Sequence, residues 1–444
     1  MRKDVITTTF LAALGRVPGL LVPFVIAATL GTSRVTDAFF LSYGFILFAT
    51  LLIGNLFETL IVPYVTEARK NNVDIGRVVG AIIARSTVIL ALLLVPVTFA
   101  VGPVLALVAG PQSELGGLVR VLVMEMAPIV LLQAWTSAFH GAMNANRIFH
   151  VAALSPLLRS FIVMVTIYAA SSKWGVHSVA LGFTLGEGLR CFVSWYLFEK
   201  RVARLRLTWE MLDEVAGFFT SAVFQSLGSA FHNLVPLVSQ LMAAPLSPGS
   251  ISIYTYVLRL RSVPLLVFSS GVAPVVFSHW ADQYSSPAGE LTWSSVSRSL
   301  VAVSSAVALG AAALLPLCPS IAQVALGWGA FPNEKLTTVS TLLRLFLISL
   351  PFDVAALLCV RVLLLLRGHA TFMSATLCRL LVLVALNALL IPRYGLIGIG
   401  IGTVSVNVLL SVVVMASARR LCKREKSFHP ANCTTIGMCR QGAP

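Results

Sequence analysis

The residues of this sequence that could bind a ligand inside a membrane are arginines in its hydrophobic stretches. A charged side chain near the centre of a bilayer costs at least ~2.5–3.5 kcal/mol, so such residues usually face an interior or a water-filled cavity. The planar guanidinium suits a carboxylate or a phosphate, which it binds through two parallel hydrogen bonds. Ten arginines lie in hydrophobic stretches long enough to cross a bilayer, against five acids. The arginines are Arg16, Arg85, Arg120, Arg159, Arg190, Arg259, Arg261, Arg344, Arg361 and Arg379, and the acids are Asp37, Glu58, Glu125, Glu187 and Asp353. This excess of arginine predicts a path for an anionic group.

The composition predicts an all-α, polytopic membrane protein as the frame for these arginines. Of the 444 residues, 57% are hydrophobic and 11% are charged, and the mean hydropathy is +0.90. Soluble domains carry about 25% charged residues. The net charge of +15 is spread over short loops, which is typical of membrane-topology signals, and we expect no nucleic-acid partner. Seven cysteines show no paired spacing of a disulfide framework or a zinc site, so we expect neither a metal nor a cofactor.

Twelve hydrophobic stretches have the ~20 residues that a membrane-spanning helix needs. Their predicted ranges are 5–31, 37–66, 78–101, 118–142, 150–171, 176–198, 214–243, 250–279, 296–316, 337–366, 370–391 and 395–417. With the N-terminus in the cytoplasm, eighteen of the remaining lysines and arginines fall inside and four fall outside. Positive charge marks the cytoplasmic loops of membrane proteins. Both termini are therefore predicted to be cytoplasmic.

The second half of the chain repeats the first. The run Ser155-Pro-Leu-Leu-Arg159 resembles Thr376-Leu-Cys-Arg379, and Lys173-Trp-Gly175 resembles Arg393-Tyr-Gly395. Repeats of six helices each run in the same direction, so the two lobes should be related by a pseudo-two-fold axis along the membrane normal. We predict an N-lobe at 1–205, a C-lobe at 206–417 and a basic cytoplasmic tail at 418–444. The duplicated arginine pairs Arg120/Arg344 and Arg159/Arg379 are expected to have a packing role common to both lobes.

Three motifs carry a resemblance to a known family. The first runs from Gly15-Arg16-Val-Pro-Gly19 to Thr36-Asp-Ala-Phe-Phe40, the second from Ala138 to Phe149, and the third is Arg259-Leu260 followed by Pro264. Together they resemble the MurJ (MviN) lipid II flippase family, within the multidrug/oligosaccharidyl-lipid/polysaccharide (MOP) exporter superfamily. The resemblance extends to all twelve helices in layout.

The resemblance implies a cationic cavity that binds a lipid-linked diphosphate. Arg16 and Arg259 match arginines of the first and eighth helices that line this cavity in the family. Arg261 lies some 200° around the helix from Arg259, so the two cannot face one cavity, and we favour Arg259. Asp37 and Glu58 are candidates for gating or for pairing with an arginine. For Asp37, capping of its own helix after Thr36 is an equal alternative.

The function implied is a flippase of the bacterial cytoplasmic (inner) membrane. It would move an undecaprenyl-diphosphate-linked sugar, a lipid II-like peptidoglycan precursor, by alternating access, with membrane lipids around it and as a monomer. Family members usually carry arginines where this chain has Val22 and Thr50, and the coupling ion stays open between Na⁺ and H⁺. A flippase for O-antigen or exopolysaccharide units is the alternative within transport. An intramembrane glycosyl- or acyltransferase would need a catalytic cluster, but Glu58, Glu125 and Asp353 are dispersed, and we expect no enzyme.

Overall fold

The protein is a bundle of fourteen α-helices in the part of the chain that the structure, a computed structural model, describes: residues 2–109, 115–209, 217–285, 292–366 and 368–428. The helices of the first half are α1 Arg2–Leu30, α2 Arg34–Lys70, α3 Ile75–Ala109, α4 Leu115–Met126, α5 Pro128–Ala145, α6 His150–Trp174 and α7 Val176–Arg201. Those of the second half are α8 Phe218–Ala243, α9 Ser250–Val267, α10 Ala273–Ser285, α11 Trp293–Leu314, α12 Cys318–Leu326, α13 Leu336–Leu365 and α14 His369–Phe428.

These helices form the twelve crossing segments that the sequence predicts. The fourth predicted segment is broken, because α4 ends at Met126 and α5 begins at Pro128, whose ring removes a backbone donor. The eighth is α9 and α10 joined by a π-helical turn at Phe268–Val272. The last two lie within α14, which contains a kink at Gly395. By length and composition alone, seven stretches of the described residues could cross a membrane, and the longest holds both of the segments in α14.

The predicted duplication is visible in the backbone at two glycines. Gly175 has φ 50° and ψ −128°, and Gly395 has φ 53° and ψ −131°. Glycine populates positive φ without the steric cost that other residues meet. Each glycine breaks the chain between the fifth and sixth crossing segments of its half. The same kink at the same place in both halves supports two lobes of one ancestry.

One of the predicted boundaries differs in the described chain. The predicted division at 205/206 lies in the extended segment 203–209, which joins α7 to the second half. The predicted end of the last helix at 417 is too early, because α14 continues to Phe428. The first part of the predicted tail is therefore helical, and the tail beyond Phe428 lies outside the described residues.

The hydrophobic core shows how the two lobes meet. At the end predicted to face outside, one continuous core joins the lobes, with Phe39 and Phe40 of α2 beside Tyr254 and Tyr256 of α9. Towards the cytoplasmic end the buried residues divide into separate clusters. One holds Phe139 and Phe198 with other N-lobe residues and with Phe218, the first residue of α8, and another holds C-lobe residues. The lobes therefore share one continuous core at the first end, whereas at the other end their cores are separate apart from the packing of Phe218 on α2.

Candidate functional site

A cavity of about 460 Å³ lies between the two lobes. Its N-lobe wall includes Gly19 and Pro23 of α1 and Arg159 of α6, and its C-lobe wall includes Arg259 of α9. Gly19 permits a close approach, since a Cβ there would lie 3.3 Å from Oγ of Ser160. Pro18 and Pro23 lie inside α1 and remove backbone donors from it. Interrupted helices are tolerated in membranes where they line a cavity.

Arg259 lies on the wall of this central cavity. It also lines a smaller cavity of about 150 Å³ with Tyr43 and Gln240. Its guanidinium has no hydrogen bond or ion pair with any residue in the described ranges. An arginine carries five N–H donors, and here they face a space at the lobe interface. The side chain is therefore free to bind an anion that enters the cavity.

Arg159 is a second cation of the cavity, and the prediction of a packing role for it missed this. Its guanidinium lies 3.5 Å from the Glu187 carboxylate, which is fully buried and also accepts a 3.0 Å bond from Arg190. Arg190 is held further by Ser155 and Gln133. One carboxylate thus serves two arginines. Arg190 is held by three protein partners, whereas Arg159 is tethered by Glu187 at the cavity wall with donors to spare.

Arg16 can be placed only by its backbone. It belongs to α1, one turn before Gly19 and Leu20, which line the central cavity. Its side chain lies outside the described residues. Val22, nearly two turns after Arg16 on α1, is buried in the cavity wall. The assignment of Arg16 to the diphosphate therefore stays a prediction.

Arg261 lies in a different cavity from Arg259. It donates to the carboxylate of Asp353 on α13 and stacks over Phe346, whose ring centroid is 5.5 Å away. This separation follows from the helical geometry, because residues two apart point to different sides of a helix.

Asp37 joins the two lobes at the end predicted to face outside. Its carboxylate accepts hydrogen bonds from N–H of Gly249 at 2.7 Å, N–H of Ser252 at 2.8 Å and the Ser252 hydroxyl at 2.6 Å. Gly249 precedes the first residue of α9, so Asp37 caps a helix of the opposite lobe. The capping alternative for its own helix is wrong, since Ser33 accepts from N–H of Thr36 there. A carboxylate at a helix N-terminus is stabilised by unpaired donors and by the helix dipole.

Further contacts surround Asp37, and together with it they are called the interlobe latch below. Lys335 donates to the carbonyl of Pro248 at 2.7 Å, and Arg34 donates to that of Ala244 at 3.2 Å. The Tyr256 hydroxyl donates to the carbonyl of Gly31 at 3.1 Å. The contacts of Arg34 and Tyr256 cross the lobe boundary, and Lys335 also donates across it to the carbonyl of Thr32 at 3.5 Å. The latch closes the central cavity on this side.

Glu58 has no part in the latch. It lies on α2 near the opposite end and accepts a 3.1 Å hydrogen bond from the amide of Asn144 on α5. Both helices belong to the N-lobe. At that end Phe218, the first residue of α8, packs between Phe57 and Tyr64 of α2. A gating role for Glu58 stays a prediction, and in this conformation its partner is an amide rather than an arginine.

Comparison with known proteins gives a consistent result. The model of the family described as lipid II flippase MurJ matches residues 26–438. A probable lipid II flippase MurJ of Thermotoga maritima is 25% identical over 341 residues, which are 76% of this chain and 68% of that protein. A second probable lipid II flippase MurJ, from Borreliella burgdorferi, is 23% identical over 167 residues, which are 34% of this chain and 30% of that protein.

Solved structures share the fold. A lipid II flippase MurJ in an inward closed conformation superposes with a TM-score of 0.80 at 19% identity, over 93% of this chain and 87% of that one. An inward-facing multidrug resistance transporter of the MATE family, in the MOP superfamily, gives 0.74 at 14% identity, over 94% and 96% of the two chains. At these identities the likeness concerns the fold.

Proposed function

Because the chain belongs to the lipid II flippase MurJ family, we propose that it moves lipid II from the cytoplasmic to the outer leaflet of the membrane. It is a multi-pass protein of the bacterial inner membrane and a transporter, not an enzyme. The observation that carries the proposal is the cationic cavity between the lobes, where Arg259 is unpartnered among the described residues and Arg159 is only partly neutralised. The alternative of an O-antigen or exopolysaccharide unit is not favoured by the family match.

The cavity suits the head of a lipid-linked diphosphate. Two guanidinium groups on opposite lobes offer charged, bidentate donors to phosphate oxygens, and Arg16 would add a third. The apolar part of the wall, from Phe39, Phe183 and Leu266, faces the less polar parts of the ligand, while the long prenyl tail stays in the bilayer. Binding on both lobes gives the substrate a direct influence on how the lobes move relative to each other.

Opening of the latch would complete the transport cycle. The lobes share a core and the latch at the end predicted to face outside, and at the cytoplasmic end their cores are separate apart from the packing of Phe218 on α2. Lipid II would enter from the cytoplasmic side. Rocking of the lobes would then break the contacts of Asp37 and expose the diphosphate to the outside. Coupling of this cycle to Na⁺ or H⁺ and a monomeric state stay predictions.

Rescue of cells depleted of their own lipid II flippase tests the function. Expression of this chain should restore growth and the appearance of lipid II in the outer leaflet, since the cavity and the family match both favour this substrate. A membrane-inserted protein that fails to restore either would contradict the proposal. Loss of one surface glycan without loss of growth, on deletion of the native gene, would favour the polysaccharide alternative instead.

The proposed orientation has both termini in the cytoplasm. Reporter enzymes fused after Gly110 and Ser247 should be active outside, and those fused after Asn72 and Arg204 should be active inside, because positive charge concentrates on the second pair of loops. Alkaline phosphatase and a fluorescent protein report the two sides in complementary ways. The opposite pattern at any two of these sites would contradict the orientation.

A further inference from the structure

A second cavity, of about 510 Å³, lies inside the C-lobe. Helices α8, α9, α13 and α14 surround it, and Leu265 and Leu357 lie in its wall as well as in that of the central cavity. Its lining includes the charged or hydrogen-bonding residues His232, Arg261, Asp353, Arg361, Arg379 and Asn407.

This C-lobe cavity carries a surplus of positive charge. The Arg261 guanidinium is neutralised by Asp353, the one carboxylate in the lining. Arg379 donates 2.7 Å to Oδ1 of Asn407 and lies 3.4 Å from Nδ1 of His232. Arginine only donates, so Nδ1 accepts and the ring bears no charge there. Arg379 and Arg361 are left without a carboxylate in the lining. A guanidinium at membrane depth is normally paired or hydrated.

The buried hydrogen-bonding atoms of the lining residues that have no partner in the described chain are donors. Nε of Arg261, Nε of Arg379 and Nδ2 of Asn407 are buried and have no partner in the part of the chain that the structure describes. The orientation of the Asn407 amide is fixed, because its oxygen accepts from Arg379. Buried donors are nearly always satisfied in folded proteins. Three unsatisfied donors in the residues around one cationic cavity indicate that this part of the C-lobe lacks an acceptor and a compensating negative charge.

The duplication shows which charge is missing. Arg159 and Arg379 are 220 residues apart, as are the kink glycines Gly175 and Gly395 and the pair Glu187 and Asn407. In the N-lobe the residue in this register is a buried glutamate whose one negative charge is shared by Arg159 and Arg190. In the C-lobe it is a neutral amide. Arg159 and Arg379 contact equivalent positions of the two lobes, Glu187 and Asn407, and only Glu187 is charged.

We propose that the C-lobe cavity binds a small monovalent inorganic anion, such as chloride, at Arg379 and Asn407. The anion supplies the charge that Glu187 supplies in the N-lobe, and it bridges α14 to the arginine on α9. The volume leaves room for water around the ion. The site lies behind Leu265 and Leu357 and is distinct from the place proposed for the diphosphate, so occupancy by chloride does not depend on lipid II.

Thermal unfolding of the purified full chain in detergent tests the site. Chloride is titrated against gluconate at constant ionic strength, and the unfolding midpoint is measured. A ligand that binds only the folded state raises Tm with the logarithm of its concentration above Kd, by roughly 3–6 °C at tenfold excess over Kd for a lobe of this size. An unchanged midpoint across the titration would overturn the proposal.

Asn407→Asp separates the anion site from a simple folding defect. The aspartate keeps the acceptor for Arg379 and adds the missing charge, so its Tm in gluconate should reach at least that of the native chain in chloride, and chloride should no longer raise it. Arg379→Gln should also lose the chloride response. In the matched control Arg259→Gln, on the central cavity, the response should persist. A full response in Asn407→Asp, or its loss in Arg259→Gln, would overturn the assignment to the C-lobe.

Discussion

Replacing Arg259 with alanine is expected to abolish rescue of cells depleted of their lipid II flippase. The guanidinium lies on the wall of the central cavity and is unpartnered among the described residues, so its removal leaves the fold intact and takes away a charged donor. A hydrogen bond to a charged group contributes about 1.5–3 kcal/mol, which corresponds to roughly a 10- to 150-fold loss in affinity. Lipid II flipping in depleted cells measures the effect.

Lysine at the same position tests the geometry of binding as well as the charge. Arg259→Lys should restore part of the activity, since a point charge loses the two parallel bonds to a phosphate. Arg393→Ala is a matched control, because Arg393 is an exposed arginine at the other face of the C-lobe bundle. Full activity of Arg259→Ala, with the protein present in the membrane, would remove Arg259 from the binding site.

The helical frame was predictable because the bilayer restricts it so strongly. Long apolar stretches between charged loops gave twelve crossing segments, and the repeated Trp-Gly and Tyr-Gly turns placed the kinks at Gly175 and Gly395. The breaks within segments were harder to predict. Pro128 ends α4, yet Pro156 and Pro351 lie inside continuous helices. The tertiary setting decides which proline interrupts a helix.

The residues of the central cavity were predictable only in part. The motif around Arg259 and its separation from Arg261 around the helix predicted that Arg259 is the one that lines the cavity. Arg159 was expected to pack, because a duplicated arginine looks structural, and its position at the cavity wall depends on Glu187, which is a helix away. The partner of Asp37 lies over two hundred residues further along the chain. A sequence gives the residue that can cap a helix, but the packing of the lobes decides which helix it caps.

Alignment of the two halves of the chain shows that the interiors of the N-lobe and the C-lobe differ in charge. Glu187 satisfies two arginines, and Asn407 at the equivalent position leaves Arg379 with an amide. The arginine contacts the equivalent position in both lobes, but that position is charged in one lobe and neutral in the other. Because of the duplication, a residue in one lobe can be compared with the equivalent residue in the other.

Asp37→Asn is expected to open the interlobe latch. Asp37 is 2% exposed, and the amide offers one acceptor oxygen where the carboxylate has two, so N–H of Gly249 or of Ser252 loses its partner. A buried donor left unsatisfied costs about 1–3 kcal/mol, so the population open to the outside should rise by roughly 5- to 150-fold. The capping interaction with the dipole of α9 is lost as well.

Labelling from outside measures this opening. A cysteine at Val22, a buried residue of the cavity wall, in an otherwise cysteine-free chain should react slowly with a membrane-impermeant thiol reagent and at least several-fold faster when Asp37→Asn is added. Glu334→Gln removes an exposed carboxylate at the same end of the bundle and should leave the rate unchanged. If both variants label at the rate of the parent, the carboxylate of Asp37 does not hold the lobes closed, and the closure depends on the shared core around Phe40 and Tyr256. If both label faster, surface charge at this end controls the reaction, and the three hydrogen bonds of Asp37 are not the cause.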